Sequence, residues 1–148
     1  MARVYQMNRV PQIGDIYMVD FDGTGSVQSG MRPAIVFQNN TGNAYSPNLV
    51  VLPLTSRLKK VSMPTHVLIK SVDSGLIKDS MALCENPQCI SKDKLGRYIT
   101  TLSDDYMKEI AAASIVASSA ISFMDIDTIM KAWKIAIQLN AVCEAVTA

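Results

Sequence analysis

A change of rhythm near residue 103 constrains this chain more than any other feature. Before it, the apolar runs are short and fenced by turn formers; after it, apolar residues recur at helical spacing. The early runs are "DIYMVDF" (15–21), "PAIVFQ" (33–38), "NLVVLPLT" (48–55), "THVLIK" (65–70), "SMALC" (80–84) and "YITTL" (98–102). Most are rich in Val, Ile, Tyr, Phe or Thr, and "DGTGSVQSG", "NNTGNAYSPN" and "DSG" lie between them. Such a pattern predicts short strands closing into a small barrel or sandwich.

Ser103 suits a helix N-cap, and Asp104 and Asp105 put negative charge in the first turn, where the helix dipole favours it. Tyr106, Ile110, Ala113, Ala117 and Ile121 follow on one face. A second helix is predicted to begin near Asp125 or Asp127. Ile126, Ile129, Met130, Trp133 and Ile137 form one apolar stripe on it; Ile135, Leu139, Val142 and Val146 form another. The polar strip between them (Asp127, Lys131, Lys134, Gln138) is narrow, so this helix needs cover on two sides, from the body and from a second chain.

With 148 residues, 49% of them hydrophobic and 18% charged, the chain can bury one globular core. The N-terminal residues lack the apolar core of a secretory signal. The uncharged run Ile110 to Met124 is too short and too serine-rich to span a bilayer. The expected compartment is the cytoplasm, with no membrane partner. Cys84, Cys89 and Cys143 make an odd count, which disfavours a disulfide framework. "CENPQC" with a lone histidine in the chain is a poor zinc set, so no metal is expected. The net charge of +1 hides a gradient: +3 over residues 1–60, +1 over 61–103 and −3 over 104–148. A mildly basic body suits an anionic partner.

Three features invite a chemical reading. His66 has a side chain suited to acid–base work, but in "PTHVLIK" a lone strand histidine is more often structural. The glycines of "DGTGSVQSG" could let backbone N–H groups approach an anion, without the spacing of a nucleotide-binding P-loop. Arg32 ends that loop, and Pro33 biases it towards extended geometry. Its guanidinium is then aimed by the backbone, as a planar fork of donors that fits phosphate. "SRLKK" (56–60) adds cations that could follow further phosphates.

The ordered series G-D-I-Y, D-x2-G-S-x-Q-x-G-x-R-P, an apolar strand ending in Q-N, S-P before "LPLT", and P-T-H-V resembles the MazF/PemK (Kid-like) toxin family. The likeness runs from about Gly14 to Ser122 and continues through "DSMALCENPQCI" and "ITTLSDDYM". It implies an α+β, mainly β fold: a small SH3-like barrel of the CcdB/PemK type with a C-terminal helix, here residues 1–123. Residues 124–148 would be an added terminal helix in the same compact unit.

The resemblance also implies a homodimeric toxin, neutralised by a cognate antitoxin. It would cut single-stranded RNA, mostly mRNA, at short sequences without a metal or cofactor. Arg32 and Thr55 fall on the family's catalytic positions, and Gln28, Ser56, Lys59, His66, Glu85 and Asn86 would contact RNA. The chain departs from the family pattern at Val27, where many members carry Glu, and in "NPQCI", where Asn86 and Gln88 stand in a loop that often reads Q-P-R-T-I and its arginine is missing; Leu83 stands where some members have a further arginine, and Glu85 keeps an acidic group. The alternative is a non-catalytic member that binds DNA gyrase, or one kept for antitoxin or operator binding.

Overall fold

In a computed structural model, the structure describes residues 9–23, 29–58 and 63–147, with the backbone alone for Ser29 and 142–147. Seven strands, β1 (Asp15–Asp22), β2 (Ser29–Val36), β3 (Asn48–Thr55), β4 (His66–Ile69), β5 (Ser80–Leu83), β6 (Gln88–Ser91) and β7 (Leu95–Thr101), form one antiparallel sheet. The order is β4-β5-β3-β2-β1-β7, with β6 also on β3. Among the described residues, four α-helices accompany it: α1 (Asn40–Tyr45), α2 (Ser71–Ser74), α3 (Asp104–Ala117) and α4 (Ile126–Thr147). The fold is α+β with strands predominant. Among the described residues, no helix is long and apolar enough to cross a membrane.

Alternation builds a core on each face of the sheet. Ile16 pairs with Ile35 and Ile35 with Leu52, and all three join Leu54, Ile69 and the α3 residues Ile110 and Ala113 in one cluster. The intervening positions Tyr17, Val19, Ala34, Val36 and Val51 form the other, closed by Leu95 and Tyr98. Because both faces are covered, a one-residue slip would not move apolar residues into water; it would mismatch two packed layers at once.

β3 does double duty along one edge. Its first half, Asn48–Val51, pairs with β6, and its end, Leu54 and Thr55, pairs with β5. On the other edge it meets β2 only at Ala34↔Pro53, Ile35↔Leu52 and Val36↔Val51. The remaining first half of β2 pairs with β1 alone. Pro53 stands at the last rung, and Pro33, just beyond it, has no N–H to give Leu54 at the next one. The two strands therefore part here, β3 bending towards β5.

Several elements extend or add to the sequence-based expectation. β2 begins at Ser29 rather than residue 33, so Arg32 lies within a strand opposite Val19 instead of ending a loop. β7 begins at Leu95 rather than residue 98. "NNTGNAY", with its turn formers, holds the short helix α1, because the Asn39 side chain caps it by accepting the Gly42 N–H at 2.9 Å. β6 falls in the segment assigned to a loop after 84. Ser103 does cap α3, accepting from the Tyr106 amide, but the helix stops at Ala117 and Ile121 sits in a 3-10 turn, Ser119–Phe123. Asp125 starts α4 by accepting the Thr128 N–H at 2.7 Å.

The segment between β4 and β5 is tied down at three points. Tyr106 of α3 donates its hydroxyl to Asp73 at 2.6 Å and accepts the Lys70 N–H. Asp79 accepts both the amide and the hydroxyl of Ser71, at 2.8 and 3.0 Å. Those donors, the amide first, hold the Asp79 carboxyl below the usual aspartate range. Gly75 ends α2 with φ +80°, and a Cβ there would lie 2.8 Å from the Thr100 hydroxyl oxygen.

Gly75→Ala should therefore destabilise the fold by roughly 1–3 kcal/mol in urea denaturation, from the positive φ and the clash together. Asp79 has a depressed folded-state pKa, so the order it lends is present above the unfolded aspartate pKa of about 3.9 and is lost as pH falls through the lower folded value. The Ser71 amide resonance should follow that titration, and Asp79→Asn should abolish it.

Candidate phosphate-binding site

Where β2 and β3 part, a cavity of about 600 Å³ opens. Strand parity puts Arg32 on the sheet face of Ala34 and Thr55 on that of Pro53, which are partners in the ladder. Both side chains are half-buried and both line the cavity. Ser56 lines it too. The Thr55 hydroxyl oxygen accepts the Arg57 N–H at 3.2 Å, which occupies a lone pair and leaves its proton to donate.

Two cations that sequence reasoning missed complete the lining: Lys78, carried by the tethered segment after Gly75, and Arg97 of β7. The signal available was the basic surplus of residues 61–103, which does not say which cations converge. Ser80 and Tyr98 line it as well, with their hydroxyls engaged by the Lys78 carbonyl and by Thr101. Among the described lining residues there is neither a carboxylate nor an imidazole. The cavity thus offers three cations and the Thr55 and Ser56 hydroxyls, from β2, β3, β7 and adjoining loops, a set complementary to phosphate. It can hold and neutralise an anion, and it carries no side chain suited to accept a proton near neutral pH.

The other expected RNA contacts lie elsewhere. His66 faces Glu85, Nε2 to Oε1 at 2.8 Å, with its side chain only 2% exposed and Nδ1 buried without a hydrogen-bond partner. Leu68, two residues on in the same strand, is exposed, whereas the His66 side chain is buried and meets Glu85 through Nε2. Asn86 belongs to the β5–β6 turn, where its side chain accepts from Gln88 at 2.6 Å. Glu85 borders a second, more apolar cavity of about 540 Å³ between that turn and α3, lined by Phe37, Leu52, Cys84, Ser114 and Ile115 among others. Burial pushes the Cys84 thiol up, so it stays protonated there, while Cys89 is exposed. None of His66, Glu85 and Asn86 lines the Arg32 cavity. Gln28, Lys59 and Val27 lie outside the described residues.

Comparison with known proteins places this geometry. A family model described as PemK-like, MazF-like toxin of type II toxin-antitoxin system matches residues 12–116. Endoribonuclease MazF of Staphylococcus saprophyticus is 43% identical over 98 residues, covering 66% of this chain and 82% of its own. A mycobacterial endoribonuclease solved in complex with its cognate antitoxin superposes with TM-score 0.61 at 25% identity, over 72% of this chain and 93% of that one. MazF from Deinococcus radiodurans shares the fold, with TM-score 0.64 at 20% identity over 79% of this chain and 100% of its own. This chain belongs to the PemK-like, MazF-like family of type II toxin–antitoxin toxins.

Proposed function

We propose that the chain is a metal-independent endoribonuclease toxin that cuts single-stranded RNA in the cytoplasm, acts as a homodimer and is neutralised by a cognate antitoxin. The observation that carries this reading is the convergence of Arg32, Lys78 and Arg97 with the Thr55 hydroxyl on one cavity free of carboxylates among its described residues.

The reaction is attack of a ribose 2′-OH on the adjacent phosphate. The 2′-oxygen forms a bond to phosphorus, the bond to the 5′-oxygen breaks, and the products are a 2′,3′-cyclic phosphate and a 5′-hydroxyl. Negative charge gathers on the phosphoryl oxygens in the transition state, where fixed donors act most strongly. Arg32, set in β2 by its pairing with β1, presents its guanidinium to those oxygens. Thr55, with its oxygen held by the Arg57 amide, donates its own proton to the same group. Lys78 and Arg97 neutralise neighbouring phosphates and fix the strand's register. The proton of the 2′-OH passes to a group outside this lining or to solvent.

Purified protein in EDTA should cleave single-stranded RNA and leave 2′,3′-cyclic phosphate ends. Arg32→Ala should keep its circular dichroism spectrum and lose about 10²–10³ in rate. A magnesium requirement, or full activity in Arg32→Ala, would refute the mechanism; a folded wild type that binds partners without cutting RNA would favour the gyrase-binding alternative. Lys78→Ala and Arg97→Ala should each weaken RNA binding and flatten the log–log salt dependence by about 0.7, measured by fluorescence anisotropy.

A further inference from the structure

The family match ends at residue 116, and the D. radiodurans chain is covered completely by 79% of this one. Helix α4 therefore lies outside the residues that the family model matches. One side of it lies along α1: Ala132, Ile135, Ala136, Leu139 and Asn140 border the groove there, and Thr41 donates its hydroxyl to the Leu139 carbonyl at 3.2 Å. A different side carries Ile126, Met130, Trp133 and Ile137, which are 79%, 47%, 62% and 53% exposed.

These four residues recur at spacings of four, three and four, the seam of a two-helix coiled coil. The spacing is also palindromic about a point between Lys131 and Ala132. A second copy of the same helix, run antiparallel, then sets Met130 against Trp133 and Ile126 against Ile137, twice over. The charges flanking the seam obey the same symmetry. Asp127 and Lys134 occupy the same heptad position on one side of it, and in an antiparallel pair that position faces its own equivalent. Each Asp127 meets a Lys134 across the twofold axis. A parallel pair would instead set this position against the other flank of the seam, so that Asp127 and Lys134 would face Ser122 and Ile129 and form no ion pair.

We infer that α4 pairs antiparallel with α4 of a second copy, through Ile126, Met130, Trp133 and Ile137, with Asp127–Lys134 contacts at both ends. This interface is separate from any contact between the barrels, and it needs nothing of the RNA chemistry.

Cysteine cross-linking of the full chain tests it, in a Cys89→Ser/Cys143→Ser background. Under mild oxidation Ile126→Cys/Ile137→Cys should give a covalent dimer, whereas Ile126→Cys alone should give at least tenfold less. Val72→Cys, 87% exposed on α2, serves as the collisional control. Charge variants give a second readout in analytical ultracentrifugation of α4-mediated association. Asp127→Lys and Lys134→Asp should each weaken it roughly tenfold, and the double exchange should restore it. Efficient cross-linking of Ile126→Cys alone would show a parallel pair and overturn the inference. So would cross-linking of the double variant no better than the Val72→Cys control, or charge variants that self-associate like wild type.

Discussion

The ladder between β2 and β3 stops at Ala34 and Pro53, and the site depends on that stop. Had the two strands continued to pair, the starts and ends that carry Arg32 and Thr55 would have closed on each other. Instead β2 stays with β1, β3 turns to β5, and the gap takes its remaining walls from β7 and the segment after Gly75. Proline is the right residue for such a boundary because it removes the donor that the next rung would need. Positioning is thereby assigned to strands rather than to loops. Arg32 sits in a two-stranded register and Thr55 at the last pair before a turn.

The rest of the molecule holds this fork open. A core on each sheet face prevents β2 and β3 from rotating about their shared rungs, since Ile35 and Leu52 are locked on one side and Val36 and Val51 on the other. The Tyr106–Asp73 and Ser71–Asp79 bonds fix the segment that brings Lys78 to the cavity. A side chain on α3 thus helps to set the position of a cation at the sheet fork.

Much of this was legible in the residues themselves. All six runs read as strands hold strand residues, five of them through Val, Ile or Thr and "SMALC", which has none, through its burial. Ser103 was readable as a cap, and one of the two apolar stripes of α4 does border the groove along α1. What escaped has a common cause. α1 forms in a run of turn residues because a single Asn39 side chain caps it, and β2 extends upstream because β1 offers a partner, not because Gly30 or Met31 favours a strand. Arg97 and Lys78 were invisible as site residues because no local pattern reports that two distant cations will face one gap. His66 shows the limit from the other side: alternation sets it on the face of the exposed Leu68, yet its own side chain is buried.

The proline at the fork also bears on how this chain behaves in company. A strand edge that leaves its neighbour exposes unused donors and acceptors, and such an edge is a template for adding a foreign strand. Here Pro33 stands at the point of divergence and withholds the donor an incoming strand would need first. The residue that leaves room for a phosphate thus makes the opening a poor seed for aggregation, so a solvent-open gap in the middle of a sheet is kept from recruiting other chains.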